Sequence, residues 1–224
     1  MWRKLLFPVI LGLGGIAVLV SLGVWQMQRL DWKLGVIADA ESQIAAPPVA
    51  LPDAPDQEAW NRRAVAVAGV LTGDEILVLT SGTSAGTGYR VIAALDTGEG
   101  RVMADLGLLP LDGRDAPATT GPVEITGNLQ WPDDVNSSTP APDRDEGLWF
   151  ARDVASMAEA LAAAPLLVTV ATMSPPDPRV TPLPVDTRDF KNDHWEYAVT
   201  WFSLALVWAA MSLFLIRRIV KGTA

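Results

Sequence analysis

The sequence predicts a membrane-anchored α+β protein: two terminal transmembrane helices enclosing one water-soluble domain built on an antiparallel β-sheet or small barrel with one or two helices. Three observations predict it. Half of the 224 residues are hydrophobic, and the apolar ones are concentrated in two blocks near the ends. No charge interrupts the 24 positions between Lys4 and Arg29, or the 20 between Glu196 and Arg217. About 20 apolar residues suffice for a helix to cross a bilayer, where only a helix or a closed barrel satisfies its own backbone. Between the blocks, short β-branched runs alternate with turn residues, as in a sheet.

Charge orients the chain. Arg3 and Lys4 precede the first block, and Arg217, Arg218 and Lys221 follow the second. The positive-inside rule therefore puts both termini in the cytoplasm. All 26 acidic residues lie from Asp31 to Glu196, against 12 basic ones from Arg29 to Lys191, so the region from Arg29 to Glu196 carries a net charge of about −14. The expected division is residues 1–4 cytoplasmic, 5–28 first span, 29–194 soluble domain, 195–216 second span and 217–224 cytoplasmic tail. In a bacterium the domain is then periplasmic and the membrane the inner one. An acidic domain also argues against nucleic acid as a partner. A cleavage site at Ser21-Leu22-Gly23 is weak, and the apolar run outlasts most signal sequences, so a retained anchor is expected. The absence of cysteine removes disulfides, thiol redox chemistry and Cys-rich metal sites, and a domain of this size folds on its own core.

After the first span, Trp32, Val36, Ile37 and Ile44 recur at helical intervals, so a helix is expected to run on to Pro47-Pro48. "RAVAVAGVL", "EILVLT", "YRVIAAL", "RVMADLGLL" and "PVEITGNLQ" read as strands, with a hairpin turn at Thr97–Gly100. "LWFARDVASMAEALAAA" reads as the domain's helix, with Val154, Met157, Ala158 and Leu161 on one face and Pro165 as its stop. "PLLVTVATMS" reads as a buried strand, and "SPPDPRVTPLPVDTRDFKND" as an extended proline-rich arm.

Most catalytic constellations fail on inventory. His194 is the only histidine, and no nucleophile-elbow sequence accompanies it. "SGTSAGTGY" lacks the lysine of a phosphate-binding loop and reads as a hairpin loop. Asp133-Asp134 and Asp145-Glu146 lack calcium-loop spacing, and the six methionines are scattered. Two patches remain at the ends of the spans. Trp25, Arg29 and Trp32 share one helix face; His194, Tyr197 and Trp201 share another, flanked by Trp195 and Phe202. One reading is an interfacial aromatic belt, with Arg29 and Lys33 paired to Asp193 or Glu196. The other is a site for a flat amphipathic molecule, with the His194 imidazole on a metal, rings against its faces and Arg29 on carboxylates. Haem matches that description.

"LGVWQMQRLDWK" (22–33) and "NDHWEYAVTWFSLAL" (192–206) resemble the N- and C-terminal signatures of the Surfeit locus protein 1 family, the assembly factors of cytochrome c oxidase. "WNRRAVAVAGVL", "GYRVIAAL", "PVEITGNLQWP" and "LWFARDVASMA" occur between them in the family's order. The resemblance implies a non-enzymatic factor that binds haem a transiently and assists its insertion into oxidase subunit I. Its partners would be subunit I and other oxidase assembly factors. Of the candidate cofactor-binding residues Trp25, Arg29, His194, Tyr197 and Trp201, His194 corresponds to the family's proposed haem ligand. The alternative is a scaffold or accessory subunit that stabilises the oxidase without binding haem. One departure is local: where the family has an Arg-Gly-Trp-x-Pro type motif, this chain has Leu106-Gly107-Leu108-Leu109-Pro110.

Overall fold

The computed structural model describes residues 2–188 and 190–222. In chain order its elements are α1 (Trp2–Ile44), β1 (Val49–Ala50), α2 (Gln57–Trp60), β2 (Ala64–Thr83), β3 (Gly86–Asp96), β4 (Arg101–Pro110), a 3-10 turn (Leu111–Gly113), β5 (Gly121–Gln130), β6 (Leu148–Trp149), α3 (Val154–Leu161), β7 (Leu167–Ser174) and α4 (His194–Lys221). They form two compact units, Met1–Asp39 with Thr187–Ala224, and Ala40–Asp186.

The first unit holds the two helices that are long and apolar enough to cross a membrane, with mean hydropathies of 2.5 and 2.0 in their most apolar stretches. At 43 residues, α1 is about 65 Å long, roughly twice what a bilayer requires. It stops at Ile44, just before Pro47-Pro48, as its pattern predicted. Its residues 29–39 cluster with the terminal helices. In α4, Glu196 occupies the first turn and Arg218 and Lys221 the last, the charge order that complements a helix dipole.

The second unit is a closed barrel. Strand β2 pairs with β3, β3 with β4, β4 with β7, β7 with β5, and β5 with β2 again. Closure depends on the length of β2. Its first part, Ala64–Leu71, pairs with β5, and its second, Glu75–Thr83, pairs with β3. The sequence reads as two strands because Thr72-Gly73-Asp74 interrupts the apolar run, yet one bent 20-residue strand serves both neighbours. All ring pairings are antiparallel except β4–β7. A closed ring with an odd number of strands cannot alternate throughout, so one parallel pair is obligatory. β1 and β6 add short parallel pairings to β2.

Period-two alternation divides each strand between two cores. Val91, Ala93 and Leu95 of β3 and Val102, Ala104 and Leu106 of β4 point into the barrel with Val65, Leu71, Ile125, Leu129 and Val168. Their alternates Ile92, Ala94 and Met103 join Ile76 and Val78 on the outside, where Val154, Met157, Ala158 and Leu161 of α3 cover them. The α3 face is the one predicted, but the helix is shorter at both ends. Leu148-Trp149 pairs with Leu77-Val78 as β6. The Asp153 side chain caps the helix start by accepting from the Ala155 and Ser156 N–H groups, and Ala162 ends it in the left-handed conformation at φ 49°.

The proline-rich arm is fastened to the barrel rather than merely extended. Leu108 and Thr181 exchange backbone hydrogen bonds of 2.8 and 2.9 Å. The β4 register slips at this point, and Gly107 sits at φ 123°, where a Cβ would lie 2.3 Å from the Thr181 carbonyl oxygen. Only glycine fits. The flanking Leu106 and Leu108 are buried in the core. Further along the arm, Arg179 makes a bidentate pair with Glu75, both bonds 3.0 Å, and also contacts Asp177 at 2.8 Å.

Burial alone would raise the Asp177 carboxyl, but hydrogen bonds from the Arg179 side chain and backbone and from Thr119 outweigh it and hold it below its usual value. A carboxylate depressed in the folded state stabilises above its unfolded pKa, and that contribution disappears as pH falls through the folded one. Between about pH 4 and pH 2, unfolding free energy is therefore expected to fall more steeply for wild type than for Asp177→Asn. Denaturant titrations followed by near-UV circular dichroism measure both slopes, and equal slopes would contradict the assignment.

Candidate functional site

The site is assembled in the unit of the two long helices. Their seam is made of small side chains. Ala198 and Ala205 of α4 are buried. On α1, a Cβ at Gly15 would meet the Trp208 ring at 2.2 Å, and one at Gly23 would meet the Phe202 ring at 2.7 Å. The Trp208 Nε1–H donates to the Gly12 carbonyl at 3.2 Å. Small residues let helices approach closely where no hydrophobic drive separates protein from lipid. Gly12 opposite Trp208 and Ser212, and Gly23 opposite Phe202, fix the two helices as antiparallel.

One polar contact closes this seam at the start of α4. The His194 Nδ1 lies 2.8 Å from the Gln26 Oε1. Gln26 is 8% exposed, and a buried amide in apolar surroundings demands such a partner. With Oε1 accepting, Nδ1 carries a proton, which in the neutral imidazole leaves the lone pair on the His194 Nε2. Asp193 precedes the helix without capping it and pairs with Lys191 at 3.2 Å. The Asn192 Oδ1 is buried with no hydrogen-bond partner among the described residues.

The other predicted residues are distributed around this contact. Trp201 is half-buried on the seam, one helical repeat below His194. Tyr197 and Trp25 are exposed, at 55% and 50%. Arg29 is also exposed and stacks over Trp32, its guanidinium carbon 4.5 Å from the ring centre. With about 100° of rotation per residue and antiparallel axes, Trp25, Arg29 and Tyr197 fall on one flank of the hairpin, the flank where Trp208 covers Gly15. Trp195 and Phe202 fall on the opposite flank, so they do not line the same surface as Tyr197. The ion pairs expected of Arg29 and Lys33 with Asp193 or Glu196 are not those formed. Lys33 lies over the Phe190 ring at 5.3 Å, and Asp193 takes Lys191.

Gln26 escaped the sequence reading, and Asn192 entered it only within the C-terminal signature, not as a site residue. Gln26 carried a usable signal, because it is a polar residue in an uncharged run, spaced three from Gly23 on the seam face. Asn192 carried none, since its burial depends on tertiary packing. Among the described residues, no group of three or more His, Cys, Asp or Glu side chains is placed to hold a metal ion.

Comparison with known proteins converges on one family. A family model described as the SURF1 family matches residues 13–206. Surfeit locus protein 1 of Homo sapiens is 27% identical over 99% of this chain and 78% of its own length. A SURF1-like protein of Monosiga brevicollis is 29% identical over 97% of this chain and 87% of its own length. A SURF1-like protein of Drosophila melanogaster is 28% identical over 98% and 77%.

Proposed function

The chain belongs to the SURF1 family, and from that membership we propose that it is an assembly factor for haem-copper cytochrome c oxidase, binding haem a and assisting its insertion into subunit I. Its setting in this reading is the cell inner membrane, with both termini cytoplasmic and the barrel periplasmic. The basic residues that flank the two spans and the acidic barrel between them support that topology. Subunit I and other oxidase assembly factors are the partners.

The observation that carries the haem reading is the His194–Gln26 contact. A histidine that ligates a metal through one nitrogen almost always donates its other ring N–H, which fixes tautomer and ring orientation. Gln26 is that acceptor here, and the half-exposed imidazole offers Nε2 as the ligating atom. The residues around it suit the group. Trp25, Tyr197 and Trp201 offer apolar ring faces, and Arg29 a guanidinium for carboxylates. Haem a supplies an iron able to take an axial nitrogen, within a flat ring that bears carboxylates. The chain itself binds, orients and releases; no covalent step is required of it.

The test is complementation. In cells lacking this protein, wild-type chain is expected to restore haem a content and activity of the oxidase, whereas His194→Ala, inserted at the same level, restores less than about a tenth. Full restoration by His194→Ala would favour a scaffold that stabilises the oxidase without binding haem.

A further inference from the structure

The barrel unit carries a second constellation, far along the sequence from His194 and unrelated to the seam. On the outer face of β2 and β3, beneath the loop that spans Asp133 to Asp153, lies a cavity of about 580 Å³. Its polar lining is Thr80, Ser81, Arg90, Asp134, Asn136, Thr139 and Arg152.

Both arginines are held from one side only. The Asp105 side chain is wholly buried, and its Oδ2 accepts from Arg90 Nε at 2.7 Å and from Nη2 at 2.6 Å. Its Oδ1 takes the Gly107 N–H at 3.2 Å, so the β4 bulge fixes the carboxylate that fixes the guanidinium. The Nη1 of Arg90 is left without a partner among the described residues. Arg152 is held likewise, by Nε to the Asp134 Oδ2 at 2.7 Å. The Asp134 N–H also donates to the Arg152 carbonyl at 2.8 Å, and a bridge between Asp133 and Asp153 closes the neck of the loop. Both Nη groups of Arg152 remain unspent.

The remaining polar atoms are also mostly donors. Thr80 and Ser81 hydroxyls make no hydrogen bond among the described residues. The Thr139 oxygen accepts from the Asn136 N–H at 3.0 Å, which leaves its own proton to give. The Asn136 Oδ1 is occupied by the Ser138 N–H at 2.9 Å, which leaves its amide protons. Asp134 Oδ1, a carboxylate oxygen with no hydrogen bond among the described residues, opposes this set. Two preoriented guanidiniums and a ring of hydroxyl and amide donors are complementary to an acceptor-rich anion.

We propose that this cavity binds an oxyanion, a carboxylate or a phosphate group, held by Arg90 and Arg152 and by the hydroxyls of Thr80, Ser81 and Thr139. The negative charge of the surrounding region opposes entry only over a Debye length of roughly 8–10 Å, so binding is expected to need the arginines and to weaken with salt. Arg152 is the residue to change, because its partner Asp134 is about half exposed, at 46%, and water can replace part of the lost contact.

The test uses the full chain in detergent micelles, titrated calorimetrically with inorganic phosphate and, separately, with acetate, each against sodium chloride at matched ionic strength. Saturable binding of either anion is expected, weakened about tenfold or more in Arg152→Gln. Saturation by phosphate alone or by acetate alone identifies the source of the oxyanion. If Arg152→Gln does not fold, Thr80→Val removes one donor at constant shape and is expected to weaken binding by a smaller factor. No saturable binding of either anion, or binding indifferent to both substitutions, overturns the proposal.

Discussion

Arg179→Ala is expected to destabilise the barrel by about 3–5 kcal/mol, the cost of leaving a buried ion pair with one member missing. The side chain of Asp177 is fully buried and that of Glu75 is 15% exposed, so neither carboxylate recovers its hydration when Arg179 is removed. Arg179 itself is held above its ordinary value, first by the Glu75 hydrogen bonds, against desolvation, and then by Asp177. The contact joins residues 104 positions apart, so it fastens the arm to the bend of β2. Arg179→Lys keeps the charge but loses the bidentate fork, and an intermediate loss is expected. The triple change Glu75→Gln, Asp177→Asn, Arg179→Met should cost less than Arg179→Ala alone, because it leaves no unpaired charge. Thermal unfolding in detergent measures all three, with a fall of roughly 10–15 °C expected for Arg179→Ala.

The second large effect is on haem. His194→Ala removes the only imidazole of the chain, and haem a occupancy of the purified protein is expected to fall below detection. Gln26→Leu leaves the imidazole in place but removes the acceptor that fixes its tautomer. Changes to such supporting partners typically cost about 10–100-fold in metal affinity. Gln26→Glu keeps an acceptor at that position and is expected to retain more haem than Gln26→Leu. A purely structural role for Gln26 would lower helix-pair stability in Gln26→Leu without separating it from Gln26→Glu in haem affinity.

Much of this architecture was legible before any coordinates. The charge-free blocks announced the two long helices because a bilayer imposes a length and forbids charge. The α3 face was legible because Val154, Met157, Ala158 and Leu161 repeat at the helical period and bury together. Barrel closure was not legible, since it depends on β2 pairing with two different strands, and pairing partners leave no local mark. The reach of Arg179 to Glu75 and of Arg90 to Asp105 was hidden for the same reason. At the seam, residue type and spacing single out His194 and Trp201, and Gln26 is marked only as a polar residue in an uncharged run. Its partner is visible only once the antiparallel pairing sets it opposite His194. The two-flank division of the aromatics likewise requires that pairing, because a helical wheel of α4 alone cannot say which side faces α1.

The central claim concerns one nitrogen atom, the His194 Nε2. The most direct measurement is resonance Raman spectroscopy of haem a bound to the purified full-length chain, compared with His194→Ala loaded under the same conditions. An iron–histidine vibration in wild type, absent in His194→Ala and shifted in Gln26→Leu, is the result expected. The same haem a spectrum in wild type and in His194→Ala would show that this histidine does not ligate the iron.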